Sequence, residues 1–265
     1  MSIQIISRGA GGREKLTANR TYYVRTDGSD SNTGLVNNSG GAFLTIQKAI
    51  DTVAALDCST YTPTIQIAAG TYTGGNTLRS FLGITGAVII GDETTPANVV
   101  ISTTSANCFY ADGVVGTWHL RGMKLQAATA GIGIVSANGS VVKFQNLDFG
   151  ACAFFHMQIY GYAAINASGN YSITGGALYH LLAYSAFFGA YGRTITLTGT
   201  PAWGTAGFEC AQAGVVDLRA VTFSGAAAGK RYNVVSNGII DTGGGGATFI
   251  PGNSAGTVAT GGVHI

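Results

Sequence analysis

The chain has 265 residues, 41 of them Gly and only 4 Pro, with 46% hydrophobic residues, 10% charged residues and a net charge of +2. No Gly-X-Y period is present, so a collagen-like rod is excluded. Nor is there a basic run to mark a nucleic-acid or anionic-membrane partner. No apolar stretch reaches the roughly 18 residues of a membrane-spanning helix; the longest, Ala177 to Ala190, is interrupted by His180.

In chain order, residues 1–20 form a polar, Gly-containing lead, read as a tail or docking arm. Its opening, MSIQIISRGAGGREKL, lacks the basic-then-apolar order of a secretory signal. TYYVR (21–25) reads as a strand and DGSDSNTG (27–34) as a turn-rich loop. Ile46, Ala49, Ile50, Val53 and Leu56 fall at helical spacing, which predicts a helix over 44–56 with Thr45 as N-cap.

TIQIAAGTYTG (64–74) opens a repeating region. A glycine followed by a short β-run recurs at Gly86, Gly116, Gly139, Gly169, Gly192, Gly214 and Gly238, in steps of 30, 23, 30, 23, 22 and 24 residues. Units of this length with no helix predict a β-solenoid, one unit per turn. A solenoid exposes an apolar cross-section at its ends, so the 44–56 helix is assigned as the N-terminal cap.

Alignment on these glycines predicts inward ladders. The first is Trp118, Val142, Tyr171, Ile195, Val216 and the second Leu120, Phe144, Ile173, Leu197, Leu218. A third runs through Leu125, Phe149, Leu178, Ala202 and Phe223. A later run in each unit gives Ile132, Met157, Leu181, Phe208, Tyr232 and then Ile134, Ile159, Ala183, Cys210, Val234. In-register strands would stack these side chains about 4.8 Å apart. The fold class is therefore an all-β, single-stranded, right-handed parallel β-helix, the hand following the rule for parallel crossovers. It divides into an arm (1–20), a strand, loop and capping helix (21–63), the β-helix (64–250) and a Gly-rich tail (251–265), expected to be loose or partner-dependent.

YYVRTDGSDSNTG followed by AFLTIQKAID resembles the opening of right-handed parallel β-helix proteins of the pectate-lyase-like superfamily, and the repeats extend the likeness over about 21–250. IPGNSAGTVATGG is similar to the ends of phage and prophage tail-associated β-helix proteins. Together these resemblances imply a tail protein located in the virion, a homotrimer bearing on the host surface and meeting other tail proteins or cell-surface polysaccharide, with no nucleic-acid or membrane partner and no cofactor. No lyase or hydrolase motif is matched, so no catalytic residue is carried over.

Two functional classes then compete: a structural or adhesive rod, and a polysaccharide depolymerase. A glycan-binding module is a third reading. Hydrolysis calls for paired carboxylates, and a pair on neighbouring coils would favour the enzyme. The aligned outward column His119, Lys143, Ser172, Thr196, Asp217 contains none. The column Lys124, Asp148, Ala177, Pro201, Thr222 pairs Lys124 with Asp148 as a surface salt bridge, and Asp92–Glu93 is a loop pair with no visible basic partner. HMQIY (156–160) and HLLAY (180–184) place His156 on His180 and Tyr160 on Tyr184, all expected to face outward around Leu182, with Phe187, Phe188 and Tyr191 nearby. This patch is the candidate contact for a subunit or a glycan, or is packing covered by a loop of the chain itself. A metal bridged by the two histidines would lack a third ligand. Asp27, Ser29 and Ser31 superficially suit a calcium loop, but the distal Glu is missing and an Asx-type turn is preferred. The four cysteines are widely spaced and read as buried thiols.

Overall fold

The computed structural model describes residues 12–84 and 86–265; the first eleven residues of the expected arm lie outside this range. The protein is a parallel β-solenoid of about eight turns. Three parallel sheets of ten, seven and eight strands run its length, with strand order following chain order. A full turn thus gives one strand to each sheet. One such turn is Thr117–Arg121, Lys124–Ala127 and Ile132–Ala137; the next is Val141–Gln145, Asp148–Cys152 and Phe155–Tyr160.

The helix spans Ile46–Ala54 and buries Ile46, Ala49, Ile50 and Val53 against the first coils. The Thr45 hydroxyl accepts the Lys48 N–H at 3.2 Å, which satisfies one of the free donors of the first turn. Asp30 fixes the cap in turn: its carboxylate accepts the N–H groups of Leu44 and Thr45, each at 2.9 Å, and the Thr45 hydroxyl at 2.7 Å. Asp27 pairs with Arg25 at 2.8 Å. The acidic loop therefore serves the cap and the strand before it. Of the arm, Glu14–Lys15 pairs with Leu56–Asp57 and Leu16 is buried.

Inward ladders exist, with a different membership from that expected. Trp118 is in register with Val142, then Ile165, Phe188, Val216 and Ile240 in the ten-stranded sheet. Tyr171 and Ile195 do face each other, but in the seven-stranded sheet, where Phe149, Ile173 and Leu197 form the neighbouring column. Leu178 and Ala202 are in neither ladder. In the eight-stranded sheet Met157, Leu181, Phe208 and Tyr232 align as expected, whereas their earlier partner is Ile134.

The cause lies in the corners. The turn from the eight- to the ten-stranded sheet uses Asn138–Gly139, Gly161–Tyr162, Ser185 and Gln212–Ala213, with φ at +51°, +78°, +66°, +62°, +47°, +53° and +58°. Ser185 is no glycine and Gly161 is followed by a left-handed tyrosine, so alignment on Gly169 and Gly192, which belong to the following corner, displaces those two coils; Gly214 follows Gln212–Ala213 directly and keeps Val216 in its column. The tail also departs from expectation. Thr257–Val258 and Val263–His264 continue two of the sheets in register, and Ile250 and Phe249 pack on the core, Phe249 edge-on to Phe223 at 5.4 Å.

The middle of the core is aromatic. Phe144 meets Phe149 and Tyr171 edge-on at 5.7 and 5.1 Å between ring centroids, and Phe149 meets Tyr171 and His180 at 5.7 and 5.5 Å. Edge-to-face pairs of this kind add to what burial already contributes. The four cysteines are free and buried in or beside this core.

Candidate functional site

His156 and His180 are neighbours in consecutive coils, but both point inward and are fully buried. Strict alternation fails at the corner where their strands begin. Phe155 pairs with Tyr179 and Met157 with Leu181, and the histidines between them turn into the core beside Met157 and Leu181. The register places Gly133 before this pair and Gly207 after it. A Cβ on Gly133 would lie 2.6 Å from the His156 carbonyl oxygen, and one on Gly207 3.0 Å from Trp203 Nε1, so there is no space for a larger residue at either place.

The hydrogen bonds fix the protons. His156 Nε2 lies 2.9 Å from the Gly150 carbonyl, which only accepts, so Nε2 carries hydrogen. The Nδ1 of a neutral His156 is then an acceptor, and His180 Nδ1, 3.0 Å away, donates to it. His180 Nε2 is left to accept from the Tyr171 hydroxyl at 3.0 Å. One chain of donation thus runs from Tyr171 through His180 and His156 to Gly150, with both imidazoles neutral. Burial holds His156 down at about 4 and His180 well below its ordinary value. Neither ring meets solvent, a partner or a substrate, so both leave the set of candidate contacts. Phe188, also fully buried, leaves with them.

Tyr160 and Tyr184 are in register on the outer face of the eight-stranded sheet, as expected. Beside them runs the outward column Tyr110, Val135, Gln158, Leu182, Glu209, Asn233. Val135, Leu182 and Glu209 face outward yet are only 2, 4 and 6% exposed. The long side chains around them close over this strip. The Tyr184 hydroxyl donates to Glu209 at 2.5 Å, and Asn233 Nδ2 donates to the same carboxylate at 3.1 Å. Tyr110 donates to Asp112 at 2.9 Å. Phe155 lies against Tyr179 at 5.4 Å. The hydrogen bond to Asp112 raises the Tyr110 phenol, while burial and then the Glu209 carboxylate raise Tyr184 and Tyr179, so these groups stay protonated donors at neutral pH. Leu182 is shielded by its own sheet, which removes the apolar surface expected there for a subunit contact. Tyr110 and Tyr179 complete a face that the sequence pattern marked at Tyr160, Leu182, Tyr184 and the outward Glu209; the register of adjacent coils was the signal that would have found them.

Phe187 and Tyr191 lie elsewhere, on the ten-stranded sheet and the corner after it, 38 and 62% exposed. The outward column of that sheet reads His119, Lys143, Asn166, Gly189, Asp217, Asp241. It therefore does contain an in-register acid pair, Asp217–Asp241, one coil past the end of the expected column; the displaced corners put Asn166 and Gly189 where Ser172 and Thr196 were expected. Arg219 bridges the pair, 2.9 Å from Asp217 and 3.5 Å from Asp241, and stands 5.7 Å over the Tyr191 ring. Its hydrogen bonds hold Asp217 below the usual carboxylate range, so Asp217 has no proton to give as a general acid at neutral pH. Burial, then Arg121 and Lys143, push His119 down to about 4, and its Nε2 meets the Ser168 hydroxyl at 2.8 Å.

Lys124 and Asp148 form the expected salt bridge at 3.4 Å. Glu93, expected to lack a basic partner, meets Arg121 at 2.5 Å and Gln145 at 2.7 Å. Burial works to raise its carboxyl, but these hydrogen bonds outweigh burial and hold it low. A cleft of about 380 Å³ beside the helix N-terminus is lined by Thr26, Gln47, Tyr72 and Asn76 among others, with no carboxylate, imidazole or amine. Its polar groups are engaged internally, as when Gln47 Oε1 accepts the Thr77 N–H at 2.6 Å.

Fold and faces together define a parallel β-solenoid protein with one tyrosine-lined side. Compared with protein-family models, with curated proteins and with solved structures, the chain finds no match in any of the three.

Proposed function

We propose that the protein is a non-enzymatic, host-surface-binding component of a phage or prophage tail, in which a rigid β-helix presents its eight-stranded sheet to a cell-surface polysaccharide. The observation that carries this reading is the tyrosine face. Rings of Tyr110, Tyr160, Tyr179 and Tyr184 stand on the sheet, with the Tyr110 and Tyr184 hydroxyls anchored on Asp112 and Glu209. Such a surface offers apolar area for the C–H face of a sugar ring beside polar groups that meet its hydroxyls. It is held before the ligand arrives, so little ordering entropy is lost on binding. The tail assignment draws on the likeness of the 250–262 segment to the ends of tail-associated β-helix proteins, taken together with the likeness of the 22–51 block to the opening of pectate-lyase-like β-helices. Assembly as a homotrimer draws on the same likeness and on the sparse charge, 10% of residues.

The test is binding of purified capsular and lipopolysaccharide O-chains to immobilised protein, with Tyr184→Ala beside the unaltered chain, while the supernatant is assayed for reducing ends and unsaturated uronate. Binding without release, weakened at least tenfold by Tyr184→Ala, supports the reading. Sugar release supports the second reading, a depolymerase, which the Asp217–Asp241 pair favours; Asp241→Asn would then abolish release. Light scattering decides the oligomer. A strict monomer that still binds glycan is a stand-alone binding module.

A further inference from the structure

Tyr162 is the most exposed large hydrophobic side chain of the described residues, at 88%, and its backbone is left-handed, φ +62°. A bulky residue in that conformation is an outlier, and one with so little burial gains little packing in return. Related corners place Asn, Ser, Gln, Ala or Gly at such φ values. Backbone strain of this kind, uncompensated within the chain, points to a role outside it.

Beneath the ring is a groove of about 350 Å³ that crosses the corner from the eight- to the ten-stranded sheet. Tyr162 and Phe187 contribute its aromatic surfaces, alanines its floor, and Ser185 and Gln212 its polar rim. The Ser185 hydroxyl donates to the Gln212 carbonyl at 2.8 Å, which leaves its lone pairs to accept, while the Gln212 carboxamide brings both a donor and an acceptor. No charged residue lines the groove.

We infer that this groove is a subsite for one uncharged pyranose residue, stacked by its C–H face on Tyr162 and hydrogen-bonded at its edge by Ser185 and Gln212. The commitment to a neutral sugar follows from the lining. A uronate or sialate would meet no cation, whereas a hexose has the same combination of apolar face and hydroxyl rim as the groove. Tyr162 lies two residues beyond Tyr160, at most about 7 Å along the backbone, so the groove continues the tyrosine face. The inference rests on the glycan-binding reading above and sharpens it to the charge of one sugar unit.

Saturation-transfer NMR with methyl glucopyranoside, galactopyranoside and mannopyranoside, and with methyl glucuronide and sialic acid as charged probes, tests it. At least one neutral pyranoside should bind, and the charged probes should not. Tyr162→Ala and Tyr162→Gly should each weaken binding at least tenfold, while Tyr191→Ala leaves it unchanged. Because glycine adopts positive φ freely, Tyr162→Gly should also raise Tm by about 2–4 °C, which separates lost binding from lost folding. The inference is overturned if no neutral pyranoside binds, if the charged probes bind equally, or if both Tyr162 variants bind like the unaltered chain. It is also overturned if Tyr162→Ala alters the mass in light scattering while the pyranoside signal stays, since the groove is then a protein contact. Polysaccharide binding that is lost in Tyr184→Ala and kept in Tyr162→Ala removes the subsite alone; no binding of polymer or monosaccharide removes both readings.

Discussion

The outer faces of the eight- and seven-stranded sheets are laid over the same aromatic core at the same strand spacing, yet they differ in kind. On the eight-stranded side, tyrosines enclose Val135, Leu182 and Glu209 in a second layer. The seven-stranded side is short and hydrophilic: Lys124, Asp148, Ser172 and Thr196 stand in register, and Thr174 donates to Asp148 at 2.8 Å. The inward half of every strand is constrained by packing. The outward half is constrained only by staying soluble and fitting its neighbours, so differences between outer faces carry the functional information.

The largest expected effect strikes what the two faces share. Phe149 touches Phe144, Tyr171, His156 and His180, and Phe149→Ala should cost about 3–5 kcal/mol in denaturant unfolding. A smaller loss would mean that the two sheets rest on separate supports. Acid should separate the sheets next, since the buried imidazoles belong to the eight-stranded one. Folded His156 binds its proton only near pH 4, whereas the unfolded chain binds it near 6.5, so the unfolded state takes up more protons between those values. Stability is therefore full above pH 6.5, declines as pH falls toward 4, and levels off below. His156 alone contributes on the order of 3 kcal/mol to that decline. The double variant His156→Met/His180→Met should reduce the slope between pH 6.5 and 4 to the part that His119, also held at about 4, contributes; an unchanged slope would assign it elsewhere.

Binding sharpens the contrast further. Tyr184→Ala should weaken polysaccharide binding at least tenfold, about 1.4 kcal/mol, and Thr196→Ala should leave it alone. Equal effects would erase the distinction between the faces. Smallest of all, Lys124→Ala should cost about 1 kcal/mol, since the buried Asp148 carboxylate keeps its hydrogen bond from Thr174; a loss of several kcal/mol would show that the hydrophilic face also supports the fold.

Much of this architecture was readable in the residues. The glycine period, the Thr45-capped helix and the step from Met157 to Leu181 to Phe208 all follow from local chemistry. What failed did so at two corners, one without glycine and one where Gly161 shares the turn with a left-handed tyrosine. Tyr162 and Ser185 turn the chain by left-handed backbones that their residue types do not advertise, and the columns aligned on Gly169 and Gly192 slid from one sheet to the next. The histidines failed for a related reason: period-two alternation holds within a strand but not across the bend at Phe155–His156. The Asp217–Asp241 pair lies one coil past the end of the expected column, in the unit that Gly238 opens, and the enclosure of Leu182 depends on ring positions that spacing alone does not encode.

Coils of similar size are open to mis-threading, in which one docks a place too early. The proton chain from Tyr171 to Gly150 acts against this. Its two imidazoles sit in consecutive turns, with glycine on either side along the axis. Shifted by one turn, an imidazole would face a glycine, and a buried nitrogen would lose its mate at about 1–3 kcal/mol. Hydrophobic ladders tolerate such a dislocation far more readily, so two polar rings in the driest part of the molecule serve as its index mark.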